Sequence, residues 1–211
     1  MILLDIEAIE NQMIPNGRVI LAGVGRLGIR VGINLLQIHR GGPRTITAVD
    51  GQKISGSDII FHMLGGENGQ YKVDLLSKLS THPADYRAVE PVKEDLNPEN
   101  MDIVKGDVVS IQIAGGNTIP TTAAIIRKAH ENGARTISTA GVFGIDEPVS
   151  AMDISKADEE NPIIAELKRQ GVERNHTIVT TGKVLRDRLP ITPYTLDEMA
   201  RVLTIEILKA L

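Results

Sequence analysis

Gly23-Val24-Gly25-Arg26-Leu27-Gly28 lies between an apolar run, Val19-Ile20-Leu21-Ala22, and a long amphipathic stretch from Leu27 to Ile38. The order strand, glycine turn, helix decides the fold class. The three glycines serve different ends. Gly23 makes a tight turn, Gly25 lets the backbone approach a phosphate, and Gly28 lets the helix pack closely on the strand. The N–H groups that open the helix then face an anion, which the helix dipole favours. The next strand, Thr45-Ile46-Thr47-Ala48-Val49, closes on Asp50. That acid falls about twenty residues past the loop, where the nucleotide fingerprint places an acceptor for a ribose hydroxyl. A glycine turn alone says little. With the strand before it, the helix after it and the acid beyond it, it predicts a nucleotide site.

Outward from this stretch, residues 5–13 can form a short helix, stopped by the turn Pro15-Asn16-Gly17. The helix after the glycine loop carries Leu27, Val31, Leu35 and Ile38 at helical spacing and stops at Gly41-Gly42-Pro43. Segment 51–70 is glycine-rich and irregular, broken by Ile59-Ile60-Phe61. A loop of this kind after a strand end lies on the ligand side of a doubly wound sheet. A second helix is expected from Tyr71 to Leu79, and a third strand over Asp85–Val89. Val108-Val109-Ser110-Ile111-Gln112-Ile113 is a near-continuous apolar run, as in a central parallel strand. The loop Ala114–Thr118 leads to a helix over Thr121–Asn132, stopped by Gly133, and Thr136–Thr139 is a fifth strand. This alternation predicts a Rossmann-like, doubly wound α/β fold with a mostly parallel sheet.

From Phe143 the rhythm weakens. Residues 153–160 are acidic and read as exposed. Asn161-Pro162 opens a short helix through Arg169, with Pro at an early helical position where it is tolerated. His176–Thr180 is a strand. Thr195 and Glu198 form a capping box for the last helix, on which Met199, Leu203, Ile207 and Leu211 share one face. No repeat or linker divides the chain, so 1–211 reads as one domain.

Composition narrows the function. With 211 residues the chain can bury a full core. A formal net charge of -4 gives no general pull towards nucleic acid or anionic membranes. No cysteine is present, which excludes disulfides, thiolate metal sites and a cysteine nucleophile, and fits a reducing cytoplasm. No apolar run reaches membrane-spanning length, and the acidic start, Met1 to Glu7, is not that of a signal peptide. With no Trp, two Phe and three Tyr, the core must be aliphatic and base-stacking platforms for nucleic acid are not expected. The histidines at 39, 62, 82, 130 and 176 show no metal-ligand spacing, and only His62 lies on the ligand-side loop.

From Gly23 to Lys72 the order of features resembles the E1-like activating enzymes, the ThiF–MoeB–ubiquitin-activating family. That family has a glycine loop, a helix, a strand ending in Asp, then D-x-D-x-V-x-x-S-N-L-x-R-Q and G-x-x-K. Here the middle run is Asp50-Gly51-Gln52-Lys53-Ile54-Ser55-Gly56-Ser57-Asp58-Ile59-Ile60-Phe61-His62, and Gly69-Gln70-Tyr71-Lys72 supplies the second motif. The resemblance covers residues 18–140 and the C-terminal helix, and matches 141–190 poorly. It departs in three places. The family's Asn is Asp58, its Arg is Phe61, and its magnesium-binding Asp falls on Ala114, with Asn117 the nearest polar substitute. Size and lack of cysteine resemble the branch that serves biosynthesis of an iron hydrogenase's iron–guanylylpyridinol cofactor.

The resemblance implies ATP and Mg²⁺ as cofactors, and activation of a carboxylate, such as that of guanylylpyridinol, as an acyl-AMP. A separate thiol-bearing acceptor protein would then take the thioester, and the chain would pair as a homodimer. A carboxylate is already ionised at neutral pH, so no general base is needed. The protein has to position two anions and screen their repulsion. Lys72 is the candidate phosphate cation, with Arg26 beside it inside the glycine loop. Gly23, Gly25, Gly28, Asp50 and Ser57 would hold nucleotide, and Asp58 the metal in place of the acid lost at Ala114. Two other readings stay open: a nicotinamide-dependent oxidoreductase, whose glycine loops also write Gly-x-Gly-Arg-x-Gly, and a non-catalytic scaffold of E1-like fold.

Overall fold

The computed structural model describes residue 6 and residues 14–80, 87–114 and 117–211. The helix expected over 5–13 lies, apart from Ile6, outside them. Seven strands form one sheet: β1 (Asn16–Ala22), β2 (Pro43–Val49), β3 (Ala88–Val92), β4 (Val108–Ile111), β5 (Arg135–Thr139), β6 (Ser150–Asp153) and β7 (His176–Thr180), in the order β3-β2-β1-β4-β5-β7-β6. All neighbours pair in parallel except β6, which runs antiparallel on β7. The helices are α1 (Arg26–Leu36), α2 (Ile59–Met63), α3 (Lys72–Leu79), α4 (Ile119–Glu131), α5 (Pro162–Arg169) and α6 (Pro193–Ala210). This is the doubly wound α/β architecture that the alternation predicts. Among the described residues, no helix is long and apolar enough to cross a membrane.

The pleat of β1 builds both layers. Val19 and Leu21 pack with α1, α3 and α6 on one face; Ile20 and Ala22 pack with α4 and α5 on the other. Because β2 pairs on one side of β1 and β4 on the other, the connections leave in opposite directions. A crevice therefore opens beyond the carboxyl ends of β1 and β4.

Some elements differ from expectation, each for a local reason. Strand three sits at Ala88–Val92, not Asp85–Val89, and residues 81–86 lie outside the described ones. Pro91 is tolerated because β3 is an edge strand, pairing only with β2. Ile59-Ile60-Phe61, the apolar piece that breaks the irregular segment 51–70, forms part of the short helix α2. The stretch 153–160 is not wholly exposed: β6 ends at Asp153, and Ile154 and Ala157 are buried. The last helix is capped three residues earlier than Thr195. Thr192 is its N-cap and accepts from the Thr195 N–H, while the Thr195 hydroxyl donates to the Gly144 carbonyl at 2.8 Å. Glu198 pairs with Arg201 instead. The helix opened by Asn161-Pro162 and strand β7 fall where the sequence places them, and Asn161 accepts from the Ile163 N–H.

Candidate functional site

A cavity of about 730 Å³ opens at the carboxyl ends of β1, β2 and β4. Gly23, Gly25 and Arg26 enter it from the turn after β1, Asp50 from the end of β2, and Gln112 to Ala114 from the end of β4. Lys72, the first residue of α3, closes one wall with Gln52, Ser55 and Asp58.

The three glycines meet different surroundings. Gly23 has φ +94°, and a Cβ there would stand 2.8 Å from the Gln112 carbonyl carbon. A Cβ on Gly28 would come within 2.0 Å of the Gly23 carbonyl oxygen, so this glycine sets how closely α1 approaches the turn. A Cβ on Gly25 would meet nothing within 4 Å, so its backbone borders open cavity. Gly25 is also the N-cap of α1 and supplies no capping side chain. The opening N–H groups of α1 therefore remain donors at the positive end of the helix dipole.

Asp50 braces this turn. One carboxylate oxygen accepts from the Val24 N–H and the other from the Gln52 N–H, both at 2.7 Å. Burial raises its pKa, against those two bonds and the attraction of Lys72. Each oxygen keeps a second lone pair beside the cavity.

Lys72 is 6% exposed, so it is not a solvated helix lysine. Its Nζ donates to Gln52 Oε1 at 2.9 Å, lies 3.7 Å from Asp58 Oδ1 and sits 5.2 Å from the Phe61 ring centroid. A cation at a helix N-terminus opposes the dipole, so these contacts offset a placement that costs energy. Burial would raise the pKa of Asp58, but the Ser55 N–H and hydroxyl, with Lys72, outweigh it and hold the carboxyl below its ordinary range. Phe61, at the resembled family's arginine position, is fully buried and offers its ring to Lys72. Ala114 lines the cavity without an acid.

Arg26 is exposed on the rim, and among the described residues its guanidinium has no ion-pair partner. Three expected residues do not line the cavity, Gly28 among them because it packs against the Gly23 carbonyl. Ser57 bonds Ser55, which lines it instead; Asn117 is exposed, and Thr118 and Thr121 take its place. His62 points its ring nitrogens at the carbonyls of Ser55 and Gly66 and pins that loop. The sequence reading also missed Gln52, Asp95, Leu96 and Gln112. Asp95 and Leu96 follow β3, and every loop after a parallel strand reaches the same edge of the sheet. Placing β3 correctly would have found them.

The donor set suits a nucleotide and its cation: unmet helix N–H groups, a buried lysine, and an ionised acid facing the same space. Among the described residues, no three His, Asp or Glu side chains gather to hold a metal by themselves. Magnesium commonly uses one or two carboxylates and completes its shell with substrate phosphates. Asp58 fits that share.

No family model matches the chain. It is similar to the guanylylpyridinol- and ATP-bound HcgE of Methanothermobacter marburgensis, with 48% identity and a TM-score of 0.91 over 94% of this chain and 97% of that one. It is 42% identical over 210 residues to an uncharacterised protein of Methanocaldococcus jannaschii, covering 83% of that protein. The Escherichia coli tRNA N6-threonylcarbamoyladenosine dehydratase TcdA, solved with ATP, shares the fold at 17% identity and a TM-score of 0.78, over 98% of this chain and 89% of that one. E. coli MccB, also solved with ATP, shares it at 13% identity and a TM-score of 0.59, over 96% of this chain and 57% of that one.

Proposed function

The chain belongs to the HcgE family, whose fold is that of the E1-like ThiF type, and on that premise we propose that it is an ATP-dependent adenylyltransferase. Its substrate would be the carboxyl group of a pyridinol cofactor precursor such as guanylylpyridinol. The observation that carries this reading is the buried Lys72, held by Gln52 and Asp58 at the edge of the cavity that the glycine turn and Asp50 border. The M. marburgensis relative, solved with guanylylpyridinol and ATP, supports the ligands.

In this reaction a substrate carboxylate oxygen bonds to the α-phosphorus of ATP, and the bond to the β-phosphate breaks with its electron pair on pyrophosphate. No proton need move. The α1 N–H groups bind phosphate oxygens, and Asp50 accepts a ribose hydroxyl. Lys72 meets the charge that grows on the departing pyrophosphate, with Arg26 on the open side. Asp58 would hold the magnesium ion that accompanies the triphosphate, and the ion would screen the phosphate charge.

The chain has no cysteine, so a thioester would form on a separate thiol-bearing protein. We also infer a homodimer, which would cover exposed apolar side chains such as Ile59 and Met63. Light scattering that finds a monomer at micromolar concentration removes that part. Buried Phe61 and acid-free Ala114 favour a second reading, a nucleotide-binding scaffold that does not turn over. Pyrophosphate exchange with guanylylpyridinol as the acid separates the two. Exchange that depends on the acid supports adenylation, and ATP binding without exchange supports the scaffold. Tight NAD binding with none of ATP would favour the oxidoreductase.

A further inference from the structure

The cavity has a third acid that no motif marks. Asp95 follows β3 and faces Asp50 across the turn at Gly51. Its Oδ1 accepts from the Gly51 N–H at 3.0 Å. Its other carboxylate oxygen has no hydrogen-bond partner among the described residues. A Cβ on Gly51 would stand 3.1 Å from the Asp95 nitrogen and 3.2 Å from its carboxyl carbon, so a glycine is what lets this carboxylate lie flat on the turn. The loop that carries it is firmly tied. Side-chain amides of Asn97 and Asn100 donate to the Asp95 carbonyl, and the Asn97 N–H donates to Asn100 Oδ1 at 2.8 Å.

Beside Asp95 stand Val49 and Leu96, apolar side chains that are almost wholly buried yet border the cavity. The α1 terminus and Lys72 make the phosphate end, and Asp50 stands between them and Asp95. What remains at the far end is an apolar slot edged by a carboxylate. Such a slot fits a flat ring that presents a donor at its edge, because the free carboxylate oxygen can accept from it.

We propose that Asp95 selects the base: its carboxylate accepts from the exocyclic amino group of adenine, while Val49 and Leu96 hold the ring. This deepens the ATP reading above and rests on it. A ring bearing hydrogen or a carbonyl oxygen at that position would leave the carboxylate unpaired or repelled.

Calorimetry on the full chain with Mg²⁺ tests this, using ATP, purine riboside triphosphate (ATP without its amino group) and 2′-deoxyATP. Wild type should bind ATP about tenfold or more tighter than the deaminated analogue, the scale of a hydrogen bond to a charged group. Asp95→Ala should make those two affinities equal and leave the 2′-deoxy penalty unchanged. Asp95→Asn, whose amide oxygen still accepts, should keep part of the preference. Circular dichroism checks that each variant folds. An Asp95→Ala protein that keeps the amino preference, or that loses the 2′-hydroxyl preference instead, overturns the proposal. So does a wild type that binds ATP without preferring the amino group. A wild type that binds no ATP overturns the nucleotide reading itself.

Discussion

Two groups of buried polar side chains stand on this one sheet, and they are finished in opposite ways. Between β5 and β7, His176 is fully buried. Its Nε2 pairs with the Ser138 hydroxyl and its Nδ1 with the Thr136 hydroxyl, each at 2.8 Å, and Thr136 also bonds His130 at 2.9 Å. Both ring nitrogens are satisfied by side chains of the same layer. At the cavity, Lys72, Asp50 and Gln112 are nearly as buried, but these residues border open space, and Gln112 Oε1, itself buried, has no partner among the described residues. Burial of a polar group is therefore not the mark of a site. A closed set of bonds holds the sheet, whereas polar groups left facing a cavity keep bonding capacity for something else.

The comparison can be broken most readily at Lys72. Lys72→Ala should lower pyrophosphate exchange by about a hundredfold or more, the scale of losing a preorganised electrostatic contact. ATP affinity should fall less, because the turn and Asp50 remain. Equal exchange rates in variant and wild type would place Lys72 with the structural group.

Gly28→Ala comes next. Its methyl would meet the Gly23 carbonyl oxygen, which is backbone and cannot swing aside. Forcing α1 from the turn should cost about 1–3 kcal/mol in denaturant unfolding, the usual scale of overpacking.

His176 gives a third measurement. Burial, with His130 nearby, pushes its pKa from 6.5 down to about 3. The unfolded chain therefore takes up a proton near pH 6.5 that the folded chain refuses. Stability from this residue is complete above that pH and is lost as pH falls towards 3, at about 1.4 kcal/mol per pH unit. His176→Gln should remove that share of the acid slope while leaving pyrophosphate exchange at neutral pH unchanged. An acid slope identical to wild type would refute the assignment.

The smallest stability effect is expected at Gly25. Gly25→Ala should change unfolding stability by no more than about 0.5 kcal/mol, since its φ of -73° suits any residue and nothing lies where the Cβ would go. Its methyl would occupy the space that the phosphates need, so ATP affinity should drop regardless. A variant that binds ATP normally would move the phosphates away from this turn.

Much of the fold and site is legible in the sequence, because it depends on short-range pattern. The glycine turn, Asp50, the run of parallel strands, the Asn161 cap and strand β7 each follow from residues a few positions apart. Lys72 is legible through its G-x-x-K setting. What the sequence could not state depends on partners far along the chain. Strand β6 has no clear alternation and exists because β7 offers it an edge. The sequence points to Thr195 as the cap of the last helix, and only the Gly144 carbonyl, 51 residues away, decides that Thr195 turns elsewhere and leaves the cap to Thr192. Asp95 reads as one acid in a polar stretch until the bare backbone of Gly51, 44 positions earlier, receives it. Periodicity and turn chemistry are local and survive in one dimension. Which polar atoms end up satisfied, and which are left facing a cavity, is settled only when distant segments compete for the same hydrogen bonds.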